Sequence, residues 1–276
     1  MSTQKPRFRV FSFALQGLLY IFLYAPIFVM AAFSFNNSKS RSVWTGFTLK
    51  WYGELFRDRA ILEALVVTLS VAIIASLAAT IIGTAAALGI HRMRKKTRDV
   101  VMTVNNIPVV NPDILTGVSF MLLFVAITTF LRTLGADISL GYWSLLLAHI
   151  TFNIPYIILS VMPKLRQMNK HTLEAALDLG ATPFQGFRKV ILPEIMPGVV
   201  SGMMIAFTMS IDDFVISYFT SGSSVQTLSV AVYAMTRKRI NPEINALSTI
   251  MFVSVMLLLV IINVIQAKDK NKEKKF

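Results

Sequence analysis

Residues 174–193, EAALDLGATPFQGFRKVILP, contain a dense set of signals for helix starts and helix ends. The leading glutamate would lie in the first turn of a helix, where a negative charge suits the helix dipole, and Gly180 can end that helix in a left-handed conformation. Thr182 and Gln185 then have the spacing of a capping box, and Pro183 suits the first position of the following helix. The stretch therefore predicts two short helices joined by a tight turn, the second ending at the final proline.

Helices as short as these need support from other surfaces. Apolar stripes that can supply it come from Leu173, Leu177, Phe184, Phe187 and Val190. A second face of small residues would allow close approach by another molecule, and it consists of Ala175, Ala176 and Gly180. The alternative interpretation is a structured loop that only connects two neighbouring segments.

The rest of the chain has the composition of a membrane protein. Of its 276 residues, 55% are hydrophobic and 15% are charged, and its mean hydropathy is +0.63. It has no cysteine, which excludes disulfides and thiolate chemistry. The net charge of +13 does not indicate nucleic-acid binding, because the basic residues cluster between apolar runs.

Six apolar runs are long enough to cross a bilayer as helices, which takes about 20 residues. They cover residues 13–33, 64–90, 100–131, 142–163, 196–219 and 246–266. The fold class predicted from this pattern is an all-α polytopic membrane protein with six transmembrane helices, in one domain that covers residues 1–276. The third run contains two prolines four residues apart, Pro108 and Pro112, which predict either an ordinary kink or a short unwound piece.

The positions of the basic residues predict the topology. About two-thirds of the 27 Lys and Arg residues fall on one side if both termini are cytoplasmic. Residues 164–195 then form a cytoplasmic loop, and residues 34–63 and 220–245 form external loops. The basic block at 91–98 is interpreted as a topology anchor that can also contact anionic lipid. The aromatic residues of the first external loop indicate an interfacial belt, with a docking role as the alternative.

Three carboxylates lie within the apolar runs: Asp113, Asp212 and Asp213. A carboxylate in a bilayer is costly unless it is paired, hydrated or protonated, so these residues are candidates for a pathway that carries a cation. A structural role, such as capping a broken helix, is the alternative. For His149, a hydrogen bond across helices near Asn153 is favoured over metal binding, since no second ligand lies four residues away.

The spacing of the quoted stretch resembles the EAA motif of bacterial ABC-importer permease subunits, with Val190 in place of the usual isoleucine. The resemblance implies the type I importer fold and a helix that docks on a separate ATPase. The docking residues it implies are Leu173, Glu174, Ala175, Ala176, Leu177, Asp178 and Gly180. It also implies two ATPase copies, a second, homologous permease subunit and an external binding protein, in a bacterial inner membrane.

Three further stretches, at 210–215, 112–115 and 241–246, resemble the second permease subunit of spermidine/putrescine importers. The chain has no phosphate-binding loop, nucleophile–base pair or metal constellation, so a transport subunit without a cofactor is expected rather than an enzyme. The competing hypothesis is an ion-coupled carrier that uses Asp113 and Asp212 or Asp213 as ion sites. Carriers of that class often contain internal repeats, and none is visible between the two halves of this sequence.

Overall fold

A computed structural model describes residues 6–38, 43–136, 139–238 and 242–273, and these are almost entirely helical. Twelve α-helices and one π-helical turn are assigned within these ranges. They are α1 Pro6–Phe33, α2 Lys50–Leu55, α3 Arg59–Arg92, α4 Lys95–Val110, α5 Asp113–Thr133, α6 Tyr142–Gln167, α7 Lys170–Asp178, α8 Pro183–Gly186, the π-helical turn Phe187–Ile191, α9 Leu192–Asp212, α10 Val215–Thr220, α11 Leu228–Lys238 and α12 Pro242–Glu273. The all-α fold class is confirmed.

Five helical segments among the described residues are long and apolar enough to cross a membrane: Leu15–Phe33, Arg59–Arg92, Asp113–Thr133, Tyr142–Gln167 and Pro183–Asp212. The sixth predicted run, 246–266, lies within α12, where Pro242–Leu257 is a further, shorter apolar helical segment among the described residues. Each of the six predicted runs therefore falls on helical structure. The fifth run, predicted as one continuous span over 196–219, is divided in the structure. Its helix ends at Asp212 and a separate short helix, α10, follows.

The predicted break in the third run is present. α4 ends at Val110, and Asn111 adopts an extended conformation with φ −69° and ψ 144° before α5 begins at Asp113. A residue that precedes a proline is driven out of the helical region by the proline ring, and here Pro112 follows Asn111. The first proline, Pro108, remains inside α4.

The quoted stretch forms two helical pieces joined by a turn, but its outer limits differ from those predicted. α7 begins at Lys170, so Glu174 lies in the second turn of the helix and not in the first. The earlier start comes from Asn169, whose side-chain oxygen accepts a hydrogen bond of 3.0 Å from the amide of His171. An amide side chain at this position satisfies one of the free N–H groups of the first turn.

The second helical piece does not end at Pro193 as predicted. α8 passes through the π-helical turn into α9 without a break, and the amide of Leu192 donates to the carbonyl of Phe187, five residues earlier. A π-helical turn widens the helix and shifts the hydrogen-bond register by one residue. This widening lets the helix continue past a proline that would otherwise break it.

The chain divides into two compact units, of which one comprises the described residues within Leu62–Ala231 and from Leu258 onward. Within it, α6 is the most deeply buried span and packs against α9. Glycines make this approach close: a methyl group on Gly198 would lie 2.8 Å from the Ser160 carbonyl oxygen, and one on Gly202 would lie 3.1 Å from the Ser160 Cβ. On α3, Gly83 approaches Ile157 in the same way. Small residues in this pattern let the backbones of membrane helices pack directly.

The other unit comprises the described residues up to Ile61 and those within Val232–Leu257. Its loop after α1 is folded around Trp51, which is 2% exposed and donates its indole N–H to the Asn36 carbonyl at 2.7 Å. Phe35 stacks on Phe47 at a ring separation of 5.3 Å and also contacts Tyr52. The short helix of this loop, α2, contains Trp51. The choice between an interfacial belt and a docking surface stays a prediction.

Candidate functional site

The segment α7–α8 is built by local hydrogen bonds that end one helix and start the next. Gly180 has φ +86°, and its amide donates to the Leu177 carbonyl at 2.9 Å. The amide of Ala181 reaches back to the Ala176 carbonyl at 3.1 Å. These two bonds together form a Schellman motif, which satisfies the carbonyls at the end of α7. The left-handed glycine predicted at this position is confirmed.

The capping box at the start of α8 is also confirmed. The amide of Gln185 donates to the Thr182 hydroxyl at 3.3 Å, and the Gln185 side-chain oxygen accepts from the Thr182 amide at 2.9 Å. Pro183 occupies the first turn. Because α8 continues through the π-helical turn into α9, this capped end is also the end of the membrane-spanning segment Pro183–Asp212.

The side chains of α7 divide into an inner and an outer set. Leu173 is partly buried and packs on Gly186, where a methyl group would lie only 2.9 Å from the Leu173 Cδ1. Ala176 is also half-buried. The outer set is exposed and consists of Glu174, Ala175, Leu177 and Asp178. Glu174 approaches the exposed His171 ring at 3.1 Å.

Two exposed apolar residues beside α7 were missed as candidate site residues. Leu179, which caps the C-terminus of α7, is 89% exposed, and Phe184 on α8 is 70% exposed. Phe184 was expected only to support the segment. Exposed large apolar side chains on a polar segment mark an interaction surface when they cluster. A signal was available for Leu179, because it lies between Asp178 and the helix-ending Gly180, where the helix no longer turns it toward the packed face.

Asp213 is the one of the three candidate carboxylates that the structure ties to other polar groups. Its side chain is 9% exposed and accepts hydrogen bonds from the amides of Ile216 at 3.3 Å and Ser217 at 2.7 Å. It therefore caps α10 at the place where the fifth predicted span breaks. Its carboxylate also lies 3.6 Å from the His149 Nε2.

Two side-chain hydrogen bonds join α6 to the chain around this break. His149 Nε2 is 3.1 Å from the Ser217 hydroxyl, and the Asn153 side-chain amide donates to the Ser210 hydroxyl at 2.8 Å. All four residues are buried. A hydrogen bond between His149 and a residue of another helix is thus confirmed, with Ser217 as the partner. Buried polar groups need such partners, and these bonds hold the break against α6.

Asp113 and Asp212 are exposed and do not join Asp213 in its hydrogen bonds. Asp113 occupies the first turn of α5, within electrostatic range of the Tyr156 hydroxyl on α6. One turn further along α5, Gly117 approaches the Val215 carbonyl, where a methyl group would lie at 3.3 Å. α5, α6, α9 and α10 thus bring the three carboxylates to neighbouring elements without forming one cluster.

Comparison with known proteins identifies the family to which this chain is similar. Residues 79–268 match the family model described as the binding-protein-dependent transport system inner membrane component. The chain belongs to this family. It is a multi-pass membrane transport subunit and not an enzyme, and this membership favours the importer hypothesis over the ion-coupled carrier.

Several relatives are similar over most of their length. The chain is 41% identical over 232 residues to the putrescine transport system permease protein PotI of Escherichia coli K12. This alignment covers 84% of this chain and 82% of the relative. It is 37% identical over 254 residues to the spermidine/putrescine transport system permease protein PotC of the same strain. This alignment covers 92% of each chain. The PotC protein of Haemophilus influenzae is 36% identical over 258 residues, 94% of this chain and 97% of that one.

Solved structures agree on the fold. A chain of a bacterial ABC transporter involved in the import of the acidic polysaccharide alginate superposes with a TM-score of 0.69 at 18% identity, covering 95% of this chain and 96% of that chain. A chain of the MetNI methionine ABC transporter, in an inward-facing conformation, gives a TM-score of 0.60 at 21% identity, over 80% and 99% of the two chains. The ABC-importer permease fold expected from the sequence is confirmed.

Proposed function

We propose that this chain forms half of the translocation pathway of an ATP-driven importer for small organic cations of the spermidine and putrescine class. The observation that carries the proposal is its similarity to polyamine permeases over more than four-fifths of its length. The charges agree with it, because the three carboxylates near the break of the fifth span attract cations and the apolar runs contain no basic residue away from their ends.

The segment α7–α8 serves as the docking element for a separate ATPase. Its exposed surface carries Glu174, Asp178 and Leu179, while Leu173 packs inward and supports the segment from behind. A surface that combines acidic groups with an exposed leucine suits a partner groove with apolar walls and a basic rim. We assign Ala175, Ala176, Leu177 and Gly180 to the same docking surface.

The complete importer has two ATPase copies, a second, homologous permease subunit and an external binding protein that selects the substrate. Both termini and residues 164–195 face the cytoplasm, since this orientation puts most basic residues inside. Residues 34–63 and 220–245 then face the binding protein's side of the membrane. We treat residues 1–276 as one functional permease domain.

Within the pathway, Asp212 and Asp113 attract the cation, whereas Asp213 stabilises the helix break that forms part of the pathway wall. Asp212 and Asp113 are exposed, whereas Asp213 uses both carboxylate oxygens to cap α10. Asp212→Asn should therefore slow polyamine uptake several-fold while the thermal unfolding midpoint of the purified chain stays unchanged. Uptake at the wild-type rate would remove Asp212 from the pathway.

Uptake of radiolabelled putrescine and spermidine, in cells lacking this chain with and without its return, tests the proposal. We expect uptake to be restored by the returned chain and abolished when ATP is depleted while the proton gradient is kept. Uptake that survives ATP depletion would contradict ATP-driven import. Restored growth on another solute with no polyamine uptake would contradict the substrate class.

A further inference from the structure

A cavity of about 280 Å³ lies between α4 and α6, at the end of α6 that we assign to the cytoplasm. It is much larger than the roughly 30 Å³ that one water molecule occupies in the liquid. Its lining consists of Met102, Leu159, Met162, Pro163, Arg166 and Gln167. Four of these side chains are apolar, and the two polar ones belong to the last turn of α6. The cavity therefore has an apolar wall and a polar rim that carries a basic group.

One arginine lines the cavity, and a second lies on α4 one helical turn before the lining residue Met102. Arg166 lines the cavity itself. Arg98 lies one helical turn before Met102 on α4 and so shares its face of the helix. The Nε of Arg98 is shielded from solvent and has no hydrogen-bond partner among the described residues. A shielded guanidinium N–H without a partner favours an anionic acceptor, and phosphate geometry matches arginine donors.

The depth of the cavity in the membrane indicates which kind of anion can bind there. α6 is a membrane-spanning helix, and the cavity adjoins its last two turns, where a span meets the headgroup region. Lipid tails are the apolar molecules available at this level, and a phospholipid phosphate lies directly above them. An apolar wall below two arginines thus matches both parts of one lipid molecule.

We propose that this cavity is a specific site for an anionic phospholipid, with an acyl chain against Met102 and Met162 and the phosphate on Arg98 and Arg166. The site differs from the general attraction of the basic block at 91–98 for the membrane surface, because it requires a charge on one face of α4 next to an apolar cavity. Other basic residues of the block, such as Lys96, are exposed and serve only the general attraction.

Native mass spectrometry of the full purified chain, titrated with phosphatidylglycerol or phosphatidylcholine, tests this proposal. We expect the wild type to retain one phosphatidylglycerol molecule in preference to phosphatidylcholine. Arg98→Gln and Arg166→Gln should each weaken its retention about fivefold, and the double variant about thirtyfold. Lys96→Gln is the matched control, since it removes a charge from the same block and should change retention by less than twofold.

A second variant tests the apolar wall independently of charge. Met102→Trp fills the cavity while both arginines remain, and it should abolish the preference for phosphatidylglycerol if the acyl chain enters there. Circular dichroism verifies that each variant keeps its helical content. Retention of inorganic phosphate at millimolar concentration, with no retention of phosphatidylglycerol, would show an anion site without a lipid site and would overturn the proposal.

Two further results would also overturn it. Equal losses for Lys96→Gln and Arg98→Gln would mean that only diffuse attraction operates. Unchanged lipid retention in the double variant, combined with weaker assembly with an ATPase or a second permease subunit, would mean that a protein covers this face.

Discussion

Leu179 offers a direct measurement of how much the docking surface contributes to binding. The side chain is 89% exposed, so almost all of its apolar area remains available to a partner. Leu179→Ala removes three carbon atoms, and each buried methylene contributes about 0.8 kcal/mol. Allowing for incomplete burial, the substitution should cost about 2 kcal/mol of binding free energy, which corresponds to an increase in Kd of about thirtyfold.

The same exposure predicts that the subunit itself is unaffected. Leu179 makes little contact with its own chain, so the variant should insert into membranes and unfold thermally as the wild type does. The assay titrates the nucleotide-free ATPase subunit onto the permease in nanodiscs and measures Kd. Leu134→Ala is the matched control, because Leu134 is 68% exposed but follows α5 outside the docking segment.

A Kd for Leu179→Ala within twofold of the wild-type value would show that docking does not bury this side chain. In that case the most exposed leucine of the segment would remain in water in the complex. A thirtyfold loss that also occurs in Leu134→Ala would be equally damaging, since it would reflect a general effect of surface leucines. Loss confined to Leu179→Ala supports docking through this face of the segment.

Substitutions at four further positions test helix packing, helix capping and docking. Gly198→Ala puts a methyl group 2.8 Å from the Ser160 carbonyl oxygen and should destabilise the chain by about 1–3 kcal/mol, measured as a lower unfolding midpoint. Gly89→Ala, with no neighbouring atom within 4 Å, should leave that midpoint unchanged or raised. Asp213→Ala should lower the midpoint by losing the cap of α10, at about 0.5–2 kcal/mol, whereas Asp213→Asn keeps an acceptor and should lose less. Glu174→Lys should abolish ATPase retention in a pull-down without affecting membrane insertion, and normal retention would remove Glu174 from the docking surface.

The features predicted correctly from the sequence depend on residues close together in the chain. The capping box at Thr182 and Gln185 and the left-handed Gly180 are set by bonds that span at most five residues. The break before Asp113 likewise follows from Pro112 and the residue before it. Such signals are readable because the interacting groups and their spacing are both present in one short segment.

The errors arose where an interaction competes with a strong local rule. Pro193 is a helix breaker by its chemistry, yet the helix continues, because the π-helical turn just before it widens the backbone. The run 196–219 is predicted as one span because residues 214–219 are as apolar as the residues before them, and capping of a broken helix is only the alternative to a pathway role. A break occurs within this run at Asp213. It is stabilised by Ser217 and by His149 on another helix, and a partner 64 positions away gives no local signal.

The arrangement of close contacts explains why a short polar segment would be kept between two spans. α7 is only nine residues long and could not remain helical alone, so it depends on Leu173 packing against Gly186. Gly186 belongs to the helical segment that continues into α9, and α9 in turn packs against α6 through Gly198 and Gly202. A displacement of α7 by a partner would therefore pass to α9 and α6 through packed contacts, since no flexible linker intervenes between α8 and α9. Close-packed helices resist compression and move as bodies, which is the property that a docking element must have if it is to move the wall of a pathway.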